Sequence, residues 1–240
     1  MILDRVTITG ADDSIKPTDL IPLTERFPFV EWGILVSKSQ EGSYRFPSFS
    51  WIEQLSEVRK QNPKMMLSGH ICGRWVRDIC DGNWSIAADR PKYMATFQRF
   101  QLNFHAQVHR LRKDKFLEGI KAYNDMGFQF IFQMDNVNDP LLSEAEALGV
   151  NAVPLFDLSG GAGILPSHWP EAMGYYSGYA GGLSPDNVAE QLEKIKKVAN
   201  GDQRIWIDTE TRVRSEDDSR LDLDKVARFL ENSEPYVVRR

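Results

Sequence analysis

A double glycine in the last third of the chain forms the most informative motif for chemistry. Residues 179–188 read YAGGLSPDNV, an apolar segment that runs through Gly181 and Gly182 toward a helix start. Neither glycine has a Cβ, so the backbone can turn sharply there and approach a ligand closely. Ser184 suits the N-cap, and Pro185 suits the first helical position. The free N–H groups of such a turn can hold a phosphate, although an ordinary strand-to-helix turn explains the same residues.

Asp157 is a second position of interest, because it closes an apolar run and precedes a glycine-rich segment. Residues 153–156 read VPLF, and residues 159–163 read SGGAG. A carboxyl group that leaves an apolar strand and faces a ligand suits a general acid. An aspartate before glycines is also a common turn cap. The glycine-rich segment does not follow the first strand and lacks the dinucleotide-binding spacing, and we expect no cofactor.

Arg45 and two histidines offer weaker signals. Arg45 lies in the loop sequence SYRFP and could form a bidentate pair with a carboxylate, although loop arginines are often simply solvated. His70 and His105, taken together with Cys72 and Cys80, match no standard zinc spacing. Both histidines can equally be hydrogen-bonded polar residues, and we expect no metal.

The composition excludes several classes of protein. The chain has 240 residues, of which 42% are hydrophobic, and this is enough for one sizeable core. A net charge of −5 and a pI near 5.5 argue against a surface for duplex nucleic acid. The N-terminus shows no signal pattern, and no apolar run approaches the ~20 residues of a membrane span. We therefore expect a cytoplasmic protein without a membrane or nucleic-acid partner.

Strand-length apolar runs alternate with segments of helical period along the chain. The predicted strands are 5–9, 30–37, 65–69, 100–104, 128–134, 152–157, 174–179 and 204–208, and the predicted helices include 50–61, 108–126, 143–148, 185–198 and 223–232. This alternation implies a parallel sheet, and its length favours a closed (β/α)₈ TIM barrel. We predict one domain over residues 1–240, with an inserted or doubled helix in 71–98 that breaks at 81–83.

The barrel prediction gathers the polar residues at one end. Active sites in this fold form at the C-terminal ends of the strands, where the predicted strands place Thr9, His70, His105, Asp135 and Asp157. Phosphate sites commonly use the loops after strands seven and eight. Because the double glycine follows strand seven, its position and its chemistry both favour a phosphate site.

Several segments resemble the phosphoribosylanthranilate isomerases. The resemblance rests on VTITG at 6–10, WGIL at 32–35 with SKS at 37–39 and YR at 44–45, LFD at 155–157 with GGAG at 160–163, AGGLSPDNV at 180–188, and the rhythm from ID at 207–208 to LDKV at 223–226. These segments correspond to strands one, two, six, seven and eight. The strand-seven motif is the most specific of them.

The resemblance implies an aldose–ketose isomerase of tryptophan biosynthesis, a barrel that rearranges a phosphoribosylated aromatic amine without a cofactor. It implies that Asp157 is the general acid that protonates the ribose ring oxygen. It further implies that Arg45 holds the aromatic carboxylate and that Gly181 and Gly182 donate to the phosphate. The remaining residues of the implied phosphate region are Ser184, Thr209 and Arg212.

Two positions depart from this family. Thr9 stands where the family has its general-base cysteine, and an unactivated hydroxyl cannot simply replace a thiolate. Glu210 lies in the strand-eight phosphate loop, where it would repel a phosphate unless it turns away or Arg212 compensates. If the family's reaction survives, His70, His105 or Asp135 must supply the base. A catalytically inactive sensor barrel and a different isomerase or lyase on the same phosphate scaffold remain the alternatives.

Overall fold

Eight parallel strands close into a barrel in the computed structural model, which describes residues 1–104, 111–134, 138–157, 163–172 and 174–238. The strands are β1 (Ile2–Thr9), β2 (Val30–Ser37), β3 (Met66–Cys72), β4 (Arg99–Leu102), β5 (Gln129–Met134), β6 (Ala152–Asp157), β7 (Ser177–Ala180) and β8 (Arg204–Thr209). Each strand pairs with the next in chain order, and β8 returns to pair with β1. The predicted (β/α)₈ barrel is confirmed.

Helices follow the strands and cover the barrel with their apolar faces. They are α1 (Ile21–Arg26), α2 (Phe49–Gln61), α3 (Gly73–Cys80), α4 (Ser85–Asp89), α5 (Pro91–Thr96), α6 (Lys113–Asp125), α7 (Asp139–Ala147), α8 (Val188–Val198) and α9 (Leu223–Ser233). The stripes of helical period are buried as expected, for example Phe116 and Ile120 in α6 and Leu192 and Ile195 in α8. In the described part of the chain, no helix has both the length and the apolar character needed to span a membrane.

The segment between β3 and β4 is enlarged, as predicted. It contains α3, α4 and α5. The predicted break lies between α3 and α4, where Gly82 has a φ of +79° that favours glycine. Trp75 of α3 and Tyr93 of α5 are both buried, and their rings meet edge to face at 6.0 Å. The extra helices therefore pack together as a unit beside the barrel.

The structure corrects some element boundaries. Helix α8 begins at Val188 and not at 185, because the Ser184 carbonyl accepts bonds from the N–H groups of Asn187 and Val188 and a turn precedes the helix. Strand β7 runs over Ser177–Ala180, later than the predicted 174–179. The α1 helix was not predicted, since six residues are too few to show a clear helical period.

Most of the apolar core lies between the strands and the helices. A second, smaller apolar cluster fills one side of the barrel interior with Ile131, Val153, Leu155 and Trp206. Strands β1 to β4 instead point polar groups inward. Buried polar residues on these strands include Thr7, Thr9, Glu31, Ser68, His70, Arg99 and Gln101. The interior is therefore divided into an apolar side and a polar side.

A buried ion cluster, which we call the Glu31 cluster, lies on the polar side. Glu31 accepts bonds from Arg5 at 2.6 Å, Thr7 at 3.0 Å and Arg99 at 2.9 Å. The Arg99 guanidinium also lies over the Trp206 ring, 4.5 Å from its centroid. Burial acts to raise the pKa of Glu31, but Arg99 and Arg5 outweigh it and the pKa is lowered. The cluster thus ties β1, β2 and β4 together by charge-assisted bonds.

Candidate active site at the C-terminal end of the barrel

A carboxyl group that the sequence motifs did not single out, Asp208, lies in the C-terminal mouth of the barrel. Thr9 Oγ1 donates to Asp208 Oδ1 at 2.8 Å, and both residues are buried. Burial raises the pKa of Asp208 well above its ordinary value, against the effect of the Thr9 bond, and the charge of Glu210 adds to the increase. Among the described residues, no lysine or arginine forms an ion pair with Asp208. Its protonation state is therefore set by burial and by other acids.

Asp157 lies at the same level of the mouth as Asp208. The register pairs Asp157 with Ala180 and Ala180 with Asp208, so the two acids flank β7. Gln133 Nε2 donates to Asp157 Oδ2 at 3.3 Å. Asp157 is buried at the end of β6, and its charge contributes to the raised pKa of Asp208. Two carboxyl groups at one level of a barrel mouth are suited to acid–base chemistry.

Gly33 lets the Thr9 side chain and the His70 ring lie side by side. A Cβ at position 33 would lie 2.3 Å from Thr9 Oγ1 and 2.9 Å from His70 Cε1. His70 is buried, and its Nε2 lies 3.1 Å from Ser68 Oγ. Burial lowers the pKa of His70 to about 4, so the ring is neutral at pH 7 and is a weak proton acceptor. The other two bases that were considered, His105 and Asp135, lie outside the described residues.

Amide side chains line the mouth next to His70. Gln101, whose register partner is His70, donates to Asn103 Oδ1 at 2.8 Å, and Asn103 in turn donates to Cys72 Sγ at 3.1 Å. Gln101 Oε1 is buried and has no hydrogen-bond partner among the described residues. Burial raises the pKa of the Cys72 thiol to about 12, so it is protonated at pH 7. In the described ranges, no three histidine, cysteine or acidic side chains converge on a metal position.

The double glycine turns beside Asp157, and its conformation requires glycine. Gly181 and Gly182 have φ angles of +118° and +62°. A Cβ on Gly182 would lie 2.5 Å from the Leu165 backbone nitrogen, and one on Gly181 would lie 3.7 Å from Asp157 Oδ1. We expected a ligand to approach the double glycine closely. In this structure the segment after β6, which includes Leu165, occupies that position.

The Asn187 side chain braces the turn after the double glycine. Its Oδ1 accepts the Ser184 N–H at 2.8 Å, and its Nδ2 donates to the Gly182 carbonyl at 3.0 Å. The Ser184 N–H is thus engaged within the protein, and Ser184 is not the N-cap that the motif suggested. The Thr209 hydroxyl is likewise engaged within the protein, since it donates to the Leu183 carbonyl at 2.7 Å.

A cavity of about 750 Å³ opens between the loops that follow β7 and β8. The predicted residues Gly182, Ser184 and Arg212 line it, together with the cations Lys225 and Arg228. Lys225 donates to the Arg214 carbonyl at 2.8 Å, and Arg228 pairs with Asp186 at 2.5 Å. Asp186, Glu216 and Asp218 also line the cavity. Arg212 is exposed and enters no salt bridge among the described residues, so it is the cation most available to an anion.

Arg45 lies between carboxylates of the protein itself. Its Nη1 donates to Glu210 Oε1 at 2.6 Å, and its Nη2 pairs with Asp218. Its backbone, at a φ of +64°, donates to Asp12 Oδ2 at 3.0 Å. The fully buried side chain of Arg214 pairs with the same two aspartates at 3.0 and 2.9 Å. Glu210 therefore turns toward Arg45, which is one of the two ways we considered for it to avoid a phosphate.

Sequence reasoning placed Asp157, Thr9 and His70 at the mouth but passed over Asp208 and Gln101. Both lie on the inward face of a strand, and Asp208 follows the interior residue Trp206 by two positions. That period-two spacing near a strand end was the available signal.

Comparisons with known proteins support the fold. No protein-family model and no curated protein sequence matches the chain. The phosphoribosyl anthranilate isomerase of Thermus thermophilus is 16% identical, with 96% of this chain and 98% of that chain covered and a TM-score of 0.61. A phosphoribosyl anthranilate isomerase in complex with reduced 1-(o-carboxyphenylamino)-1-deoxyribulose 5-phosphate is also 16% identical, with 98% and 100% covered and a TM-score of 0.54.

A third similar structure comes from a different enzyme. The 3-keto-L-gulonate-6-phosphate decarboxylase of Vibrio cholerae is 10% identical, with 99% and 100% of the two chains covered and a TM-score of 0.54. The likeness to the phosphoribosylanthranilate isomerases that the motifs indicated is thus confirmed as a likeness of fold.

Proposed function

We propose that this protein binds a phosphorylated small molecule of the phosphoribosyl type at the barrel mouth and catalyses an aldose–ketose isomerisation by proton transfer. The observation that carries this proposal is the pair of buried carboxyl groups, Asp157 and Asp208, on either side of β7. The double glycine turn lies immediately beside Asp157. The mouth therefore combines two carboxyl groups suited to acid–base chemistry with a tight glycine turn beside one of them.

The cavity between the loops after β7 and β8 supports the phosphate part of the proposal. It adjoins Gly182 and contains the exposed cation Arg212. Among the described residues, the ion pair of Arg228 is with an exposed aspartate, and such a surface pair is weak enough for a ligand anion to compete. Two of the similar structures are enzymes whose names include a phosphorylated sugar or phosphoribosyl group.

The two carboxyl groups can divide the chemistry of ring opening and isomerisation. Asp157 gives a proton to the ring oxygen as the bond from this oxygen to C1 breaks. The lone pair of the oxygen or nitrogen on C1 then forms a C1=O or C1=N double bond. Asp208 takes the proton from C2, the electron pair left there forms a C1=C2 double bond, and the oxygen or nitrogen on C1 regains its lone pair. The ketose forms when Asp208 returns its proton to C1 and the C2 hydroxyl gives its proton to Asp157, which restores both carboxyl groups. A raised pKa makes Asp208 a stronger base than an ordinary carboxylate. Thr9, whose hydroxyl donates a hydrogen bond to Asp208, is then a positioning residue and not the base.

The proposal is tested with Asp157→Asn and Asp208→Asn, and with exposed Asp202→Asn as the matched control. Turnover of ribose 5-phosphate and of phosphoribosylanthranilate is followed by product formation, and phosphate binding by calorimetry. We expect both site variants to bind the phosphorylated ligand and to lose about 10²–10⁴-fold in rate. Unchanged turnover in either variant would contradict its role. Firm binding by a wild-type protein that turns over neither compound would instead favour the inactive sensor barrel.

A further inference from the structure

We infer that the substrate carries no carboxylate that reaches Arg45, and that Glu210 is the residue that excludes one. The inference rests on the proposed function, because it assumes that a phosphorylated ligand occupies the mouth. It concerns the region where the loop after β2 meets the loop after β8. There Glu210, a carboxylate of the protein itself, pairs with the Arg45 guanidinium, which could otherwise bind a carboxylate of the ligand.

Both ends of the Arg45 guanidinium are already occupied. Nη1 donates to Glu210 at 2.6 Å and to Thr211 Oγ1 at 3.3 Å, while Nη2 pairs with Asp218. The Arg45 side chain is only 17% exposed, so little of it is left for a ligand. An arginine binds a carboxylate best through two parallel N–H donors. Both Nη groups of Arg45 are engaged and its Nε, which has no partner among the described residues, is buried, so no two accessible donors are left for a ligand.

Glu210 lies beside the end of β1, and 30% of its side chain is exposed. A Cβ on Gly10, the residue after β1, would lie 3.6 Å from Glu210 Cγ. Its charge also acts to raise the pKa of Asp208, two residues earlier, and the pKa of the Cys72 thiol at the end of β3. Glu210 thus lies between the end of β1 and the Arg45 guanidinium. A ligand carboxylate in that space would meet Glu210 as a like charge.

Within the described part of the chain, the charges paired with Arg45 and Arg214 leave no positive surplus. Asp12, Glu210 and Asp218 provide three carboxylates, against the two guanidinium groups of Arg45 and Arg214. An incoming anion would therefore add a fourth negative charge to a partly buried cluster. Unpaired like charges brought together in this way disfavour a binding partner strongly.

The other wall of the mouth is suited to neutral donors. Gln101 Oε1 is a buried acceptor without a partner among the described residues, and Gln133 adds a second amide near Asp157. A hydroxyl of a sugar can donate to such an oxygen, whereas a carboxylate cannot. The unsatisfied acceptor and the filled arginine both indicate a neutral, hydroxyl-bearing ligand.

The test compares two ligands that differ in one carboxylate. They are reduced 1-(o-carboxyphenylamino)-1-deoxyribulose 5-phosphate and its 1-phenylamino counterpart, with dissociation constants measured by calorimetry. We expect wild-type protein to bind the counterpart at least about tenfold more tightly. Glu210→Ala should reverse this preference, because it frees Arg45 Nη1. Glu210→Gln, which keeps the side-chain shape, should shift the ratio in the same direction by less.

Glu190→Ala is the control, since it removes an equal charge from the exposed face of α8. It should leave the ratio of dissociation constants unchanged. Wild-type preference for the carboxylated ligand, or an unchanged ratio in both Glu210 variants that fold normally by circular dichroism, would overturn the inference while leaving the proposed function intact. Failure of ribose 5-phosphate and of inorganic phosphate to bind wild-type protein would overturn the proposed function, and this inference with it.

Discussion

Glu31 and Asp208 are two buried carboxyl groups in the barrel interior, and each accepts a bond from an inward-facing threonine of β1. Their surroundings are opposite in charge. Thr7 donates to Glu31, and Thr9, the next inward residue, donates to Asp208. Glu31 also has Arg5 and Arg99 as partners, whereas Asp208 forms no ion pair within the described chain. The pKa of Glu31 is lowered and that of Asp208 is raised.

The difference separates a structural acid from a chemical one. A carboxylate held between two guanidinium groups stays ionised and cannot exchange a proton near neutral pH. A buried carboxyl group without a cation can change its protonation state, which is what an acid–base catalyst needs. The deeper carboxyl group, Glu31 beside Thr7, thus stabilises the fold. Asp208 beside Thr9, nearer the mouth, is suited to proton transfer.

The largest effect is expected for Glu31→Gln, which leaves the buried Arg99 and the partly buried Arg5 without their anion. Removal of one partner from a buried ion pair costs about 3–5 kcal/mol, and urea denaturation should show this loss at pH 7. The pKa of Glu31 is lowered on folding, so its stabilisation is present above its unfolded pKa and is lost as the pH falls through its folded pKa. The difference from wild type should therefore shrink in acid.

Glu57→Gln is the matched control, because Glu57 forms an exposed pair with Lys60. Its stability should stay close to that of wild type. An equal loss of unfolding free energy in both variants would show that the Glu31 cluster stabilises the fold no more than an exposed ion pair does.

Asp208→Asn should have the opposite effect on stability, together with the loss of turnover of about 10²–10⁴-fold expected above. The pKa of Asp208 is raised on folding, so its contribution is favourable below its unfolded pKa and is lost as the pH rises through its folded pKa. At neutral pH the amide removes the burial penalty, and the melting temperature should rise. The gain should vanish below the unfolded pKa. A lower melting temperature at every pH would show that Asp208 is a structural acid like Glu31.

The smallest of the three effects is expected for Thr9→Val, which removes the hydroxyl and keeps the shape. The Thr9 bond stabilises ionised Asp208, so its loss raises the pKa of Asp208 further. If Asp208 is the base, the acid limb of the pH profile of kcat/KM should move to higher pH. The rate at pH 7 should fall by roughly tenfold, the value of a hydrogen bond to a charged group. A uniformly lower profile with an unshifted limb would exclude this positioning role.

Much of the architecture could be predicted from the sequence. Strands that are buried on both faces of a parallel sheet read as apolar runs, and β2 and β6 were predicted with the boundaries that the structure shows. The partners of Glu31 could not be predicted, because Arg5 and Arg99 lie far from it along the chain and only barrel closure brings them together.

The candidate site was predicted in outline. Asp157 and the double glycine lie together at the mouth, as the strand ends suggested. The partner of Arg45 was not predicted, since a loop arginine finds its carboxylate through tertiary structure and not through local spacing. Asp208 was passed over because a single aspartate near a strand end carries no motif. Its significance depends on burial, which a sequence does not state.

The absent side chain of Gly33 limits how this barrel could be changed, in nature or in the laboratory. Even one methyl group there would collide with both Thr9 and His70. Larger side chains at positions 9 and 70 must therefore share the space that a single missing carbon leaves open. Any attempt to install a new reactive group at position 9 would draw on this same volume, so neighbouring positions would have to change together. The residue at position 33 thus limits the size of the side chain that β1 can carry at position 9.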